Sequence, residues 1–181
     1  DGLALEGVGL SESNRGGQDG FLYKIDLTTN SLDWQRFIGT SEDEELVSID
    51  VGNRDIVGLL ETQESASDGF LRIMSTSTGV DRDGVEGEKI ASLQDDQMVA
   101  VNYDGNNSRY HALFHSEGSL STDSGRTESL SSDVQLASYD SESIFSSALS
   151  IATPQYDSAS DIELVSGGDY VLVGGQTEGV F

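Results

Sequence analysis

Carboxylates are the side chains this sequence offers most freely, and three short stretches set them beside other oxygen donors in ways a hard divalent cation accepts. Ser41-Glu42-Asp43-Glu44-Glu45 is an acidic connector, and Asp81-Arg82-Asp83-Gly84 and Asn102-Tyr103-Asp104-Gly105-Asn106 share residue types with calcium-binding loops. Calcium takes several carboxylate and carbonyl oxygens in flexible geometry, so a structural calcium at one of these stretches is one expectation. None has the full Asp-x-Asp-x-Asp-Gly spacing with a terminal glutamate, and a solvated acidic turn between strands is the competing expectation. His111 and His115 are four apart. On a helix that spacing would place two ligands on one face, but their segment alternates like a strand, where the same spacing separates them by about 13 Å. A structural or surface role is therefore expected of both.

Other chemistries find less support. Gly-x-Ser-x-Gly is absent, and no motif ties either histidine to a nucleophile. Carboxylates are so abundant that a glycosidase acid–base pair stays open, yet no pair stands out. Gly16-Gly17 and Gly167-Gly168 fall in turns between strands, with no following helix to make a phosphate loop. Trp34, Tyr23 and Phe37 could stack on a sugar ring, or pack between sheets as aromatics at strand spacing do. The sequence thus predicts no catalytic residue and no cofactor-binding residue, and it leaves a metal site unassigned.

Charge narrows the partners. The 181 residues hold 33 acidic and 9 basic side chains, a formal net charge of −24, and only Lys24 and Lys89 are lysines. Phosphate backbones and anionic membrane surfaces would be repelled, because their binders carry a basic stripe. Such an acidic coat suits salty water or divalent cations, which screen self-repulsion. With no cysteine, disulfides and cysteine-ligated metal centres are excluded. No apolar run approaches the roughly 20 residues that span a bilayer as a helix. Hydrophobic residues make up 35% of the chain, enough to supply a core, and they fall in short clusters rather than being thinly spread as in disordered segments.

The elements that must position any site read as strands. Apolar clusters of four to seven residues alternate with polar ones and are punctuated by Gly, Asn, Asp and Ser. Residues 22–27, 32–38, 46–51 and 56–60 read as four antiparallel strands of one small sheet, with Gly52-Asn53 supplying turn chemistry. A second set follows at 70–74, 89–93 and 98–103. Between 107 and 143 the pattern allows one unit with a long loop or two units, one of them degenerate. The last strands fall at 144–151, 162–165 and 170–174, with Pro154 in a connector.

Asp19-Gly20-Phe21-Leu22 recurs as Asp68-Gly69-Phe70-Leu71, with the phenylalanines 70 − 21 = 49 residues apart. A period near 50 signals a repeat architecture, and one small sheet cannot bury both its faces without stacking on another. Residues 3–12 are similar to 170–178, and Gly179-Val180-Phe181 begins a new opening. The expected units are 16–63, 64–107 and 108–181, with 1–15 a strand of a neighbouring or closing sheet. The expected chain is a mature, processed or excised piece of a longer polypeptide, either a slice of an array or a ring closed by its N-terminal strand.

Gly16-Gly17-Gln18-Asp19-Gly20-Phe21, Asp26, Trp34, Gly39-Thr40-Ser41-Glu42-Asp43-Glu44, Ile49-Asp50-Val51, Gly52-Asn53 and Gly58 with Glu61-Thr62 together resemble the bacterial β-propeller repeats known as SBBP repeats. The closing part returns at 157–177, ending Gly174-Gly175-Gln176-Thr177. The second unit departs from the pattern, having no tryptophan and no acidic connector at the matching spacing. This resemblance implies modules of large extracellular or cell-envelope proteins without a catalytic assignment. The expectation is a single all-β domain over 1–181, a propeller-like array of about four four-stranded antiparallel sheets, complete or part of a larger ring. Its expected role is a secreted or cell-surface structural or adhesive module that binds a protein or glycan, with no nucleic acid and no membrane insertion. The alternatives are a polysaccharide-acting enzyme domain using loop carboxylates, and a self-associating protomer of an extracellular filament or coat.

Overall fold

A computed structural model describes residues 17–52, 54–62, 67–82, 88–92, 96–116, 120–122, 127–128, 133–142, 144–151, 153, 155–165 and 168–178. The expectations placed on residues 1–16, Asn53, Asp83, Gly84, Pro154, Gly167 and 179–181 lie outside them. The described chain is all β, without a helix. Its strands are β1 (Gly20–Asp26), β2 (Ser31–Ile38), β3 (Glu44–Val51), β4 (Asp55–Thr62), β5 (Gly69–Ser75), β6 (Glu88–Ala91), β7 (Asp96–Asp104), β8 (Arg109–Ser116), β9 (Leu120–Thr122), β10 (Thr127–Glu128), β11 (Asp133–Tyr139), β12 (Phe145–Ile151), β13 (Asp157–Leu164) and β14 (Val171–Thr177).

These strands make four antiparallel sheets. The first is β1-β2, the second β3-β4-β5-β6 extended past β6 by β9 and β10, the third β7-β8-β11-β12, and the fourth β13-β14. They stack in chain order. Leu22, Trp34 and Ile38 of the first sheet meet Ile56, Leu60 and Met74 of the second. Val57, Leu59, Leu71, Ile73 and Ile90, on the other face of the second sheet, meet Val101, Tyr110, Phe114, Ala137 and Tyr139 of the third. The third sheet turns Ala100, Leu113 and Val134 toward Ile162 of the fourth. Burial in β4 and β8 is therefore nearly continuous, because both faces are covered, whereas β1 and β14 expose one face.

One correction to the sequence reading concerns sheet membership. The four strands within 20–62 do not share a sheet, because pairing partners change between β2 and β3. The reason lies in the two kinds of connection. Between β4 and β5 the chain folds straight back, with Thr62 N–H donating to Asp68 C=O at 2.8 Å and the Asp68 N–H donating to Thr62 Oγ1 at 2.9 Å. The acidic connector after β2 instead carries the chain to the next layer, where Glu44 N–H donates to Gln18 C=O at 2.8 Å and the Leu46 side chain lies against Gly20. The stretch between β8 and β11 leaves those two strands paired as neighbours and sends β9 to the edge strand β6 of the second sheet.

A common plan recurs in the hairpins. β3–β4, β7–β8 and β13–β14 each slip register after the third residue of their first strand, between Leu46 and Ser48, Met98 and Ala100, and Ala159 and Asp161. Such a bulge bends the strand and raises its local twist. Turns are also shared: Asp26 Oδ1 accepts the N–H of Thr28 at 2.7 Å and Thr29 at 3.3 Å, and Asp104 Oδ1 accepts those of Asn106 at 3.0 Å and Asn107 at 3.2 Å. Each loop closes on a residue at positive φ, Asn30 and Ser108 at 52°. Gly79, at +67°, does the same after β5.

Candidate functional site

The carboxylates that looked available for chemistry are largely occupied by the fold. Glu44, Asp96 and Asp157 are the first residues of β3, β7 and β13, and all three are buried. Each accepts the N–H of a hydroxyl residue four positions earlier: Thr40 to Glu44 Oε2 at 3.0 Å, Ser92 to Asp96 Oδ2 at 2.5 Å and Thr153 to Asp157 Oδ2 at 2.5 Å. The Thr40 hydroxyl also bonds Glu44 Oε1. Across the hairpin each acid faces Thr62, Ser116 or Thr177. Burial pushes the Asp96 carboxyl above the usual carboxylate range, although hydrogen bonds from Ser116 and Ser92 pull the other way. At Asp157 the Thr177 hydroxyl, helped by Thr153, holds the carboxyl below that range against the opposing effect of burial. Sequence reading missed these acids as a set. The signal was present in the Ser or Thr four residues before each acid and the Ser or Thr that closes the following strand.

The calcium expectations meet similar competition. Asp43 Oδ1 accepts the Gln18 N–H at 2.7 Å, and Asp81 is bonded to Arg72 through its guanidinium, Nε to Oδ1 at 3.2 Å. Arg82 reaches Asp55 at 3.0 Å. Asp104, besides serving its turn, accepts Asn107 Nδ2 at 2.6 Å. Burial pushes Asp104 up, but the bonds from Asn107 and Asn106 outweigh it and leave it below the usual range. Among the described residues, no group of three or more His, Asp or Glu side chains is placed to share one metal ion.

His111 and His115 lie on one face of β8 and go to different partners. His111 Nδ1 pairs with Ser138 Oγ at 2.9 Å on β11, and His115 Nε2 accepts the Ala159 N–H of β13 at 3.3 Å. Burial keeps the His111 pKa below its ordinary value, despite the opposing charge of Asp104. Trp34 is sandwiched between the first and second sheets, with its Nε1 donating to Thr76 C=O at 3.3 Å and the Arg36 guanidinium 6.0 Å from its ring. It is a packing residue. Tyr23, by contrast, stands on the outer face of β1 with its ring 5.2 Å from that of Phe21, and Phe37 is half-buried on the adjoining strand opposite Phe21.

Two accessible apolar surfaces stand out among the described residues. One is the outer face of the first sheet, where Phe21 is 60% exposed and Tyr23 and Ile25 are also exposed. The other is a groove of about 380 Å³ where the two-stranded fourth sheet covers only part of the third. Leu136, Leu149 and Ile151 form one wall and Ala159, Val171 and Val173 the other, while Asp157 and Thr177 lie at its polar end. Leu149 is 60% exposed. The lining is aliphatic and its one carboxylate is already held by Thr177 and Thr153, so the groove offers burial rather than proton transfer. No helix among the described residues is long and apolar enough to cross a membrane. No protein-family model matches the chain, and neither does any curated protein.

Proposed function

We propose that this chain is a non-catalytic structural or adhesive module of a secreted or cell-surface protein, a propeller-like array of repeated sheets that binds a protein or glycan partner. The observation that carries this reading is how the buried acids are used. Glu44, Asp96 and Asp157 are tied to backbone N–H and hydroxyl groups of their own layer. The apolar side chains left at the surface include Phe21, Tyr23, Tyr156 and Tyr170. Aromatic rings on a rigid sheet make good contact area for sugars and proteins alike, at little cost in side-chain entropy. The acidic coat excludes polyanionic partners and keeps such a module dispersed.

Successive layers with their first strands side by side, and the same bulge in each first hairpin, are features a propeller would have; β3 packs against β7 and β7 against β13. Screening the protein on arrays of neutral and acidic glycans, alongside a hydrolysis assay on the same polysaccharides, tests the assignment. Binding without release of sugar is the expected result. Turnover that is lost on replacing one carboxylate would instead make the chain an enzyme.

A further inference from the structure

The turn between β7 and β8 carries a pattern that the proposed function leaves unused. Six asparagines occur in the sequence, Asn14, Asn30, Asn53, Asn102, Asn106 and Asn107, and only Asn106 stands two positions before a serine or threonine. Asn106-Asn107-Ser108 is thus the one Asn-x-Ser/Thr stretch, with a middle residue other than proline, and that is the acceptor pattern for N-linked glycan transfer. It falls at the tip of a hairpin. Residues 105–109 are all exposed, between the buried Asp104 and the buried Tyr110.

We infer that Asn106 is the acceptor of an N-linked glycan. The inference rests on the secreted or cell-surface location in the proposed function, because this modification belongs to surface loops of exported proteins. The donor it requires is a lipid-phosphate-linked oligosaccharide, brought by a transferase. Asn106 Nδ2 forms a bond to the anomeric carbon of the first sugar and gives up one proton. The bond from that carbon to the phosphate oxygen breaks, and the lipid phosphate leaves with the electron pair. The Ser108 hydroxyl is the group by which the acceptor is recognised.

The bonds that shape the turn leave both groups available. Asp104 holds it through the backbone N–H groups of Asn106 and Asn107 and through Asn107 Nδ2, the amide of the neighbouring residue. Among the described residues no hydrogen bond engages the side chain of Asn106 or that of Ser108. Ser108 is itself informative. It sits at φ 52°, the left-handed conformation that Asn30 adopts at the end of the β1–β2 turn and Gly79 in the turn after β5. Asparagine and glycine tolerate that conformation better than serine does, so turn stability alone does not call for a serine at 108. Glycan transfer does call for a hydroxyl there. A glycan is also compatible with the packed sheets, because neither Asn106 nor Ser108 belongs to any of the three apolar cores. Asn106 lies just past the last residue of β7 and the buried Asp96 is the first, so the sugar stands at the end of the strand remote from that acid.

Mass spectrometry of the protein recovered from the cells that naturally make it tests the site, with the cell interior and the exported fraction analysed separately. The exported protein is expected to carry a glycan mass on the peptide that contains Asn106. Asn106→Gln and Ser108→Ala, made in the same cells, should each abolish that mass, and the second does so with the acceptor amide still in place. Both positions are exposed, and melting curves report whether each variant folds. Asn106→Gln, whose side chain holds nothing in the turn, keeps the test decisive if Ser108→Ala is strained at its positive φ. Exported protein with Asn106 unmodified, or a modification that persists in folded Ser108→Ala, overturns the inference and leaves the proposed function standing. Unmodified protein found only inside the cell overturns both.

Discussion

Asp96 and Asp157 hold the same place in successive hairpins, yet their surroundings push them in opposite directions, and that difference has a sign that titration can read. Asp96 is fully buried and its folded pKa is raised above the unfolded value near 3.8, so the folded state binds the proton more tightly. Its ionised form costs stability at neutral pH, and the cost is relieved as pH falls through the raised pKa toward 3.8. Asp157 has a depressed folded pKa; it stabilises above 3.8 and loses that contribution as pH falls through the lower value. Relative to Asp96→Asn, the unmodified protein should therefore gain stability on acidification from neutral pH to about 4. Relative to Asp157→Asn it should lose stability, and only below about 4; urea midpoints at a series of pH values would show both, and parallel curves would refute the assignment. Tyr139 gives a third test at this scale. Its hydroxyl is buried with no hydrogen-bond partner among the described residues, while its ring meets Phe145 edge-on at 5.8 Å. An unpaired buried hydroxyl costs about 1–3 kcal/mol, so Tyr139→Phe should be neutral or stabilising by up to about that amount in thermal melts.

At the scale of the element, two neighbouring glycines of β14 separate what the bulge requires from what it tolerates. A Cβ on Gly175 would meet Ser158 C=O at 2.0 Å, because the slip between Ala159 and Asp161 brings that carbonyl under it. On Gly174 a Cβ would meet nothing within 4 Å. Gly175→Ala should thus lower stability by about 1–3 kcal/mol through forced backbone movement, with Gly174→Ala close to neutral; equal losses would mean that the bulge does not set the crowding. Strand positions were legible in the sequence because alternation, Gly-Phe openings and turn residues act locally. The pairing of β4 with β5, and the handover of β3 to the next layer, were not. They depend on Thr62 closing a short loop with Asp68, and on Glu44 reaching back to Thr40 and Gln18, contacts that leave only a faint trace in residue order. Likewise residues 107–143 read equally as one unit with a long loop or as two units, since nothing in the composition of the stretch after β8 says that β8 and β11 remain neighbours.

For the whole molecule, the stack makes stability a matter of neighbours. The second and third sheets share the core around Leu59 and Phe114 and are covered on their other faces by the cores around Leu60 and Leu113, whereas among the described residues the first and fourth are each covered on one. In such an array each layer depends on its contacts with the next, and an end layer has one interface to lose where an inner one has two. Amides in β4 and β8 should accordingly exchange with solvent at rates set by global unfolding, while those in β1, β2, β13 and β14 should exchange through smaller openings. Leu59→Ala, which removes side-chain volume from the central interface, should cost about 2–5 kcal/mol and bring the β4 and β8 rates up together. Leu22→Ala, at the first interface, should speed exchange in β1 and β2 and leave β8 nearly unchanged. Native-state hydrogen exchange measured strand by strand distinguishes this from a single cooperative block: uniform protection across the sheets, or a Leu22→Ala effect that spreads equally to β8, would show that the layers do not act through their immediate neighbours.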